Sequence, residues 1–416
     1  MVLSNFATME LETGPIAAGG GCVARAEDGR VVFVRHSLPG ERVLAAVTEE
    51  AKSYLRADVL EVLRPSSDRV TAPCHYAGAG RCGGCDFQHV SLGAQRQLKA
   101  DLVVEQLRRL AGVEEDVEVE EVAGAPEGLG WRTRVRFGVD GSGRVGLHKH
   151  RSHELQLIDR CLIASAAVEA LGVERHEWPD VEDIEVFAAD GSSQAVVSLS
   201  ARSRRLGPLP ALHAGLVVNG RVAREPERVT FEVLERHYEV SAGVFWQVHP
   251  GAAEALGKAV LEGLRARTGD RVADLYAGAG LFAGLVGDVV GQDGSVLAVE
   301  RDRWACADAA RNTADQPQVK VVKASVTPAL VAERVGDMDL VVLDPSREGA
   351  GRAVMAALAA LEPIPRRIVY VACDPASFAR DIRVLLDANW TLHSLKGFDL
   401  FPMTEHVELV AVITPN

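Results

Sequence analysis

The stretch IVYVACDPASFARD, residues 368–381, decides the fold of the C-terminal part of this chain. Its first five residues are apolar and mostly β-branched, which predicts a buried strand, and the residues after Asp374-Pro375 predict the first turn of a helix. Cys373 therefore falls at the carboxyl end of a strand, where open α/β sheets place their ligands. Because a lone cysteine is more often a buried core residue, its role depends on the stretches around it.

Two earlier stretches have the same strand-then-turn pattern. Residues 274–282 (DLYAGAGLF) form a glycine-rich turn between a predicted strand and a predicted helix, and residues 341–351 (VVLDPSREGAG) are a strand that ends in Asp-Pro. From Gly251 onward, helix and strand patterns alternate, as in a doubly wound parallel sheet. We therefore expect a Rossmann-like α/β domain over residues 246–416.

The glycine-rich turn predicts a nucleoside site. Gly278 and Gly280 let backbone amides approach a ligand closely where the helix begins. The next strand, residues 295–299, ends at Glu300, which can accept hydrogen bonds from both ribose hydroxyls. A dinucleotide would suit the same residues, but the turn is not Gly-x-Gly-x-x-Gly, because the next glycine after Gly280 is Gly284. This favours S-adenosylmethionine as the ligand.

A cysteine at the mouth of a methyl-donor site suggests a specific chemistry. Carbon 5 of uracil is a poor nucleophile, but a Cys373 thiolate that adds to carbon 6 makes carbon 5 enolate-like. A base must then remove the carbon 5 proton so that elimination frees the enzyme. Asp344, which ends the preceding strand, could hold the uracil edge. The final stretch, residues 398–413, offers Glu405 and Glu408, and on these grounds either could be the base.

The N-terminal part has an all-β pattern. Short apolar runs are separated by turn signals at Asp28-Gly29 and Pro39-Gly40, and these runs are residues 31–34, 42–47 and 58–62. A small barrel fits this pattern, and small barrels often bind nucleic acid through one face. A barrel that only stabilises the chain fits equally well.

The next segment carries a cluster of cysteines. Cys74, Cys82 and Cys85 lie within 12 residues on a loop rich in glycine, and Cys161 is the nearest candidate for a fourth ligand. Glycine lets the backbone curl so that two thiolates three residues apart point at one metal centre. By spacing alone, zinc and a four-iron cluster fit equally well.

A basic stretch follows in an otherwise acidic chain. The chain contains 45 Lys and Arg against 58 Asp and Glu, for a net charge of −13, which argues mildly against a nucleic-acid partner. Binding needs only a local basic face, however. Arg132, Arg134 and Arg136 alternate, so in a strand they would share one face. This face is the best candidate for phosphate contacts, although a solvated strand face explains the charges nearly as well.

Bulk properties place the chain among globular, multidomain proteins. With 416 residues it is too long for one core, and we expect three parts, 1–62, 63–245 and 246–416, with the helix at 93–111 free to pack on the last domain. Residues 1–14 lack the basic start and apolar core of a signal peptide. No apolar run approaches the roughly 20 residues of a membrane helix. The seven cysteines are odd in number, and we expect no disulfide framework among them. We also expect a cytoplasmic protein without a membrane partner, and a monomer.

As a set, these motifs resemble those of the RNA uracil-5-methyltransferases. Within that family they are similar to the branch with an N-terminal TRAM barrel and a [4Fe-4S] cluster that acts on 23S ribosomal RNA. The matching segments are residues 19–41 (the TRAM pattern), 82–89 (CGGCDFQH), 245–250 (FWQVHP), 274–282, 298–300 (AVE), 343–347 (LDPSR), 371–381 and 401–408 (FPMTEHVE).

The resemblance implies a fold and a set of roles. The fold is a TRAM or OB-like β-barrel, a central α+β domain with the cysteine cluster, and a C-terminal Rossmann-like methyltransferase domain. Cys373 would be the nucleophile and Glu408, rather than Glu405, the base. The implied cofactor-binding residues are Gln247, Asp274, Tyr276, Gly278, Gly280, Glu300 and Asp344, and the implied cluster ligands are Cys74, Cys82, Cys85 and Cys161. The expected product is 5-methyluridine in structured RNA, made with S-adenosylmethionine.

Two other classes of function stay open from the sequence. His249, Asp374 and Glu405 stand where the family has Asn, Asn and Gly, which would also suit an RNA-binding assembly factor that has lost turnover. The acidic net charge would suit a small-molecule methyltransferase, in which Arg132, Arg134 and Arg136 would contact no RNA.

Overall fold

The N-terminal unit is a sheet of six strands in the computed structural model, which describes residues 7–190, 194–203 and 207–416. Its order is β1-β5-β6-β4-β3-β2, and the strands are β1 Thr8–Glu12, β2 Ile16–Ala17, β3 Gly21–Arg25, β4 Val31–Arg35, β5 Arg42–Glu50 and β6 Tyr54–Arg64. Alternate side chains such as Val32, Val34 and Leu55 point inward and are buried. The first six residues of the range 1–62 lie outside the described part.

A connecting segment follows the cysteine loop. It contains helix α1, Leu92–Gln106, which continues as a π-helical turn over Leu107–Ala111, and the short strand β7, Val119–Glu121. The apolar face of α1, including Val103 and Leu107, packs into the same core as Phe378 of the C-terminal domain. The sequence assigned these residues to the central range 63–245. In the structure, the helix packs against the last domain, as the sequence allows, and the short strand β7, which the sequence did not indicate, joins the last sheet.

The central domain is built on a seven-stranded sheet ordered β10-β9-β8-β11-β12-β13-β14. Its strands are β8 Arg134–Val139, β9 Val145–His148, β10 Leu155–Leu157, β11 Val181–Ala188, β12 Ala195–Ala201, β13 Gly215–Val218 and β14 Arg221–Arg224. Helix α2, Ala166–Leu171, packs on β11. The hairpin β15 Arg228–Val233 and β16 Arg236–Ser241 then leads to the last domain.

The C-terminal domain is a doubly wound sheet ordered β19-β18-β17-β20-β21-β23-β22-β7. Its strands are β17 Arg271–Leu275, β18 Ser295–Glu300, β19 Val319–Lys323, β20 Leu340–Leu343, β21 Arg367–Ala372, β22 Trp390–Asp399 and β23 Glu408–Pro415. Its helices are α3 Ala252–Leu264, α4 Leu281–Val290, α5 Arg303–Asn312, α6 Pro328–Arg334, α7 Arg352–Ala359 and α8 Pro375–Asp387. Strands β17 to β21 are parallel, and all but the edge strand β19 are largely buried, whereas β23 runs antiparallel to β21.

One buried ion pair joins α1 to this sheet. Lys99 Nζ donates to Asp399 Oδ1 at 2.5 Å and to the Phe401 carbonyl at 3.0 Å. Both side chains are essentially inaccessible to solvent. A buried pair of this kind fixes where its two elements meet, because either charge alone would be costly inside the protein.

Replacing Lys99 with methionine is expected to lower the free energy of unfolding by about 3 to 5 kcal/mol, because Asp399 is then buried without a counter-charge. The double change Lys99→Met with Asp399→Leu should recover most of this loss. Urea unfolding followed by tryptophan fluorescence measures both. Lys396→Met is the matched control, since it breaks an exposed pair with Glu262 and should cost under about 1 kcal/mol. Equal losses in Lys99→Met and Lys396→Met would contradict this view of the pair.

Candidate active site

Three polar side chains meet at the carboxyl edge of the C-terminal sheet. Asp344 follows β20, Cys373 follows β21, and Glu408 is the first residue of β23. Ala372 pairs with Leu409 in the antiparallel register of β21 and β23, so Cys373 and Glu408 are neighbours across the two strands. Residues from distant parts of the sequence are thereby brought to one edge, as the sequence predicted for Asp344 and Cys373.

Burial and mutual repulsion control the protons of this group. Burial raises the pKa of the half-buried Cys373 thiol to about 12, and the charges of Glu408 and Asp344 add to this effect. Burial also raises the pKa of Asp344 to about 7. The pKa of Glu408, which is 3% exposed, lies well above its usual range because of burial and then because of Asp344. At neutral pH the thiol is therefore protonated until a positive charge or a base assists it.

Arg347 supplies a positive charge to this group. The guanidinium lowers the pKa of both Cys373 and Glu408, in opposition to their burial. Its Nη2 lies 3.2 Å from Nε2 of His406, whose pKa burial lowers to about 4, so the neutral imidazole can accept this hydrogen bond. Arg347 was not among the residues singled out from the sequence. Its signal was present, since it follows Asp-Pro-Ser at the end of a predicted strand.

The glycine-rich turn after β17 has the geometry expected of a ligand-binding turn. Tyr276 has a φ of 68°, a left-handed conformation that is unusual for a residue with a side chain and recurs at functional sites. The amide of Gly278 donates to Glu300 Oε2 at 3.0 Å, so the turn and the acid at the end of β18 are in contact. Gly280 has a φ of 87°, and a Cβ atom there would lie 3.1 Å from Ala309. Glycine is thus needed for α4 to begin against α5.

Asp274 is buried within β17 with only partial compensation. The residue is fully inaccessible to solvent, and among the described residues neither carboxyl oxygen makes a hydrogen bond of standard geometry. The Ala283 amide of α4 is near enough to lower the pKa of Asp274, which offsets burial only in part. Burial raises its pKa to about 8, and the charges of Asp344 and Glu300 contribute further. An unsatisfied buried carboxyl is expensive, and functional sites are where such groups occur. The charge of Asp344 raises the pKa of both Asp274, which precedes the glycine turn, and Cys373.

Gln247 lies in the irregular segment between β16 and α3. It is buried, and the neighbouring Val248 carbonyl accepts hydrogen bonds from the amide and the hydroxyl of Thr133, at 2.8 and 3.0 Å. In the described part of the chain no hydrogen bond joins Gln247 to Asp344, Cys373 or Glu408. The hydrogen bonds of Val248 therefore fix the backbone beside Gln247, but its side chain is not hydrogen-bonded to these other predicted site residues.

The four predicted ligand cysteines surround one cavity. A cavity of about 100 Å³ is lined by Cys74, Cys82, Cys85 and Cys161 together with Arg132, Arg136 and Arg160. Burial raises the pKa of the Cys82, Cys85 and Cys161 thiols, to about 11 for Cys161, and the neighbouring cysteines contribute to each of these shifts. Over residues 7–190, 194–203 and 207–416, no group of three or more His, Cys, Asp or Glu side chains is placed to hold a metal ion.

The predicted arginine face is only partly available. Arg134 is buried: its Nη1 donates to the Val244 carbonyl at 2.6 Å, and its guanidinium lies 3.8 Å from the centre of the Phe187 ring. Arg136 is exposed but paired with Asp183 at 2.8 Å. The interpretation of all three arginines as phosphate ligands is therefore wrong for Arg134, which packs the central domain against the segment that leads to Gln247.

The described helices include none that is both long and apolar enough to cross a lipid bilayer.

Comparison with known proteins agrees with the fold. Residues 8–60 match the family model of the TRAM domain. The crystal structure of the Pyrococcus abyssi tRNA (uracil-54, C5)-methyltransferase in complex with S-adenosyl-L-homocysteine superposes with a TM-score of 0.74. It covers 98% of this chain and 100% of that chain at 21% sequence identity. The N-terminal TRAM barrel and the C-terminal methyltransferase fold expected from the sequence are thus confirmed.

Curated relatives align over nearly their full lengths. An uncharacterized RNA methyltransferase of Streptomyces coelicolor is 47% identical, with 98% of this chain and 92% of the relative covered. The 23S rRNA (uracil(1939)-C(5))-methyltransferase RlmD of Chromohalobacter salexigens is 34% identical, with 96% of this chain and 88% of the relative covered. At this identity and coverage, the chain belongs to the RNA methyltransferase family.

Proposed function

We propose that this protein transfers a methyl group from S-adenosylmethionine to carbon 5 of a uridine in 23S ribosomal RNA, through a covalent bond between Cys373 and carbon 6. The observation that carries the proposal is the strand register that sets Cys373 beside Glu408, with Asp344 at the end of the adjacent strand. The relatives named for this reaction on 23S ribosomal RNA support the choice of substrate.

Cys373, Asp344 and Arg347 have different roles in the first steps of the proposed reaction. The Cys373 thiol gives its proton to the Asp344 carboxylate, Arg347 favours the resulting thiolate, and the thiolate attacks carbon 6. Asp344, with a pKa of about 7, is available in both forms near neutral pH. As a carboxylate it can accept from uracil N3–H, and as an acid it can donate to the O4 atom on which negative charge develops. When bound, S-adenosylmethionine supplies an electrophilic methyl group to carbon 5.

Glu408 is the proposed base that ends the reaction. Its carboxylate takes the carbon 5 proton, the C–H electrons form the double bond between carbons 5 and 6, and the sulfur leaves as thiolate. The alternative base, Glu405, accepts a hydrogen bond from the Gly19 amide of the barrel at 2.6 Å. That contact directs the Glu405 carboxyl toward the barrel, which supports Glu408 as the base.

The donor site is proposed at the turn after β17. Glu300 would accept hydrogen bonds from the ribose hydroxyls, with Gly278 and Gly280 allowing close approach of the backbone. The partly compensated carboxyl of Asp274 suits a donor that carries positive charge. Gln247 is proposed to orient donor and uracil, as the family resemblance implies.

RNA contacts are proposed for the barrel and for the edge of the cysteine cavity. The range 1–62 serves in this view as an RNA-binding unit, 63–245 as the domain that carries the cysteine site, and 246–416 as the catalytic domain. Arg132 lies at the cavity and can meet phosphate, whereas Arg160, also at the cavity, is paired with Glu169 at 2.6 Å. The target uridine must leave its stack to reach Cys373. Because the residues proposed for each step are all present, an RNA-binding assembly factor that has lost methyltransferase activity is the weaker interpretation.

A [4Fe-4S] cluster is the proposed occupant of the cysteine cavity. Four thiols around one cavity match the ligand set of such a cluster. Cys74, Cys82, Cys85 and Cys161 would hold it. Its role would be to fix the loop 74–85 against the central sheet.

Cys373→Ala is expected to abolish methyl transfer, and Glu408→Gln is expected to slow turnover by at least about a hundredfold while RNA–protein adduct accumulates. The first removes the nucleophile and the second blocks only elimination. Denaturing gel electrophoresis of protein with labelled RNA measures the adduct, and labelled donor measures methyl transfer. Both variants should still bind S-adenosylhomocysteine. Methylation at the wild-type rate by Cys373→Ala would refute the mechanism.

Donor affinity is expected to rise by at least about tenfold from pH 6 to pH 8, because a cationic donor favours the Asp274 carboxylate over its acid. The folded pKa of Asp274, about 8, lies above its unfolded value of about 4, so the donor-free chain should lose stability as pH rises from about 4 to about 8 and should lose no more above that. Calorimetry in two buffers with different heats of ionisation measures the released proton. Asp274→Asn should remove most of the pH dependence, and the exposed Asp293→Asn should not. Binding without proton release would contradict this prediction.

Protein purified without oxygen is expected to contain about four iron and four sulfide per chain. Replacing Cys85 with serine should reduce the iron content, whereas Cys306→Ser, at a cysteine outside the cavity, should leave it unchanged. Iron and sulfide assays provide the measurement. One zinc per chain, or no metal at all, would overturn the assignment of the cavity.

A further inference from the structure

The segment 399–407, which leads into strand β23, is held by other parts of the chain. The Met403 carbonyl accepts hydrogen bonds from the amides of Asp86 and Phe87, at 3.0 and 2.9 Å. The Met403 amide donates to Gln95 Oε1 at 2.8 Å. The cysteine loop and helix α1 therefore both bind this segment through its backbone, which fixes its course up to the middle of the segment.

The second half of the segment is held by the barrel. The Gly19 amide donates to Glu405 Oε2 at 2.6 Å, a short hydrogen bond between residues 386 positions apart. Gly20 lies directly beside it, since a Cβ atom there would be 3.1 Å from Cβ of Asp86 and 3.4 Å from Cβ of Glu405. The barrel turn 18–21 thus packs against both the cysteine loop and the segment 399–407.

Glu405 has no competing ionic partner in this position. Across the described ranges, no ion pair involves its carboxyl. Asp86, the nearest acid, pairs with Arg35 of strand β4 at 3.5 Å, and Lys99 pairs with Asp399. The carboxyl of Glu405 therefore relies on the Gly19 amide, which can donate to its oxygen in either protonation state. Burial and then the charge of Asp86 raise the pKa of Glu405 to about 7.

We propose that Glu405 is a positioning residue that fixes the segment leading to Glu408 on the barrel turn 18–21, so that the placement of the base depends on the barrel. This inference rests on the proposed function, because it takes Glu408 to remove the carbon 5 proton. Only two residues separate Glu405 from Glu408. A shift of this segment displaces the base, whereas Cys373 and Asp344 belong to other strand ends. His406 of the same segment also meets Arg347 at 3.2 Å, and this contact continues to hold the segment, so losing the Glu405 contact weakens the placement of Glu408 rather than abolishing it.

The displaced base gives a distinctive kinetic signature. Addition of Cys373 to carbon 6 and methyl transfer do not need Glu408, but elimination does. In Glu405→Ala, turnover is expected to fall about tenfold, which corresponds to the loss of one hydrogen bond. Methylated RNA–protein adduct should accumulate, and KM for RNA should change less than kcat. A merely destabilised protein would lose all steps together and would accumulate no adduct.

Two further variants test the contact from both sides. Glu405→Gln keeps an oxygen that can accept from Gly19 and should stay within about threefold of wild-type turnover, since a neutral acceptor loses part of the bond. Gly20→Ala places a methyl group between the barrel and the segment 399–407, and it should reproduce the adduct of Glu405→Ala. If Glu405→Ala does not fold, Gly20→Ala decides. Glu333→Ala, at an exposed carboxylate of α6, is the matched control and should behave as wild type.

The outcomes separate this inference from the proposed function. If the wild type methylates RNA and Glu405→Ala turns over at the same rate without adduct, the positioning role is refuted and the proposed function stands. If Glu405→Gln turns over as slowly as Glu405→Ala while both melt like the wild type, the lost hydrogen bond from Gly19 is not the cause of the slow turnover, and the positioning role is again refuted. If the wild type forms no 5-methyluridine under any condition, the proposed function itself fails.

Discussion

The antiparallel pairing of β21 with β23 is the constraint on which the candidate site depends. A parallel strand at this place would put its carboxyl end, rather than its first residue, beside Cys373. Because β23 runs the other way, its first residue, Glu408, lies across from the residue after Ala372. The reversed strand thus brings a carboxyl to an edge where the parallel strands β17, β20 and β21 already end. Nucleophile and base come from two strands of one buried sheet, which positions them rigidly.

The second constraint is electrostatic. The charge of Asp344 acts on both Asp274 and Glu408 in a low-dielectric sheet, and Arg347 is the cation that opposes the carboxyls at Cys373. Their raised pKa values mean that the free site holds protons that a cationic ligand would displace. In the proposed function this arrangement couples donor binding to the charge state of the acids that surround the nucleophile.

The sequence predicted the strand ends and missed the long-range partners, for physical reasons. Asp344, Cys373 and Glu300 follow apolar runs, so their place at the sheet edge could be inferred. Strand β7, Val119–Glu121, is too short and too acidic to show a periodic pattern, and only the structure reveals it as the eighth strand. The burial of Arg134 under Phe187 depends on the register of β8 with β11, which alternation of charge does not encode.

The contacts that join the barrel, the cysteine loop and the catalytic sheet bear on how RNA can be held. With a net charge of −13, the chain cannot hold RNA by its overall field, so a few local contacts must set the register of the RNA. Local contacts define a register only when the parts that make them are fixed relative to one another. The Lys99–Asp399 pair and the backbone bonds of Met403 provide that fixation. Extruding the target base costs a few kcal/mol, and a rigid frame that holds the rest of the RNA can offset that cost.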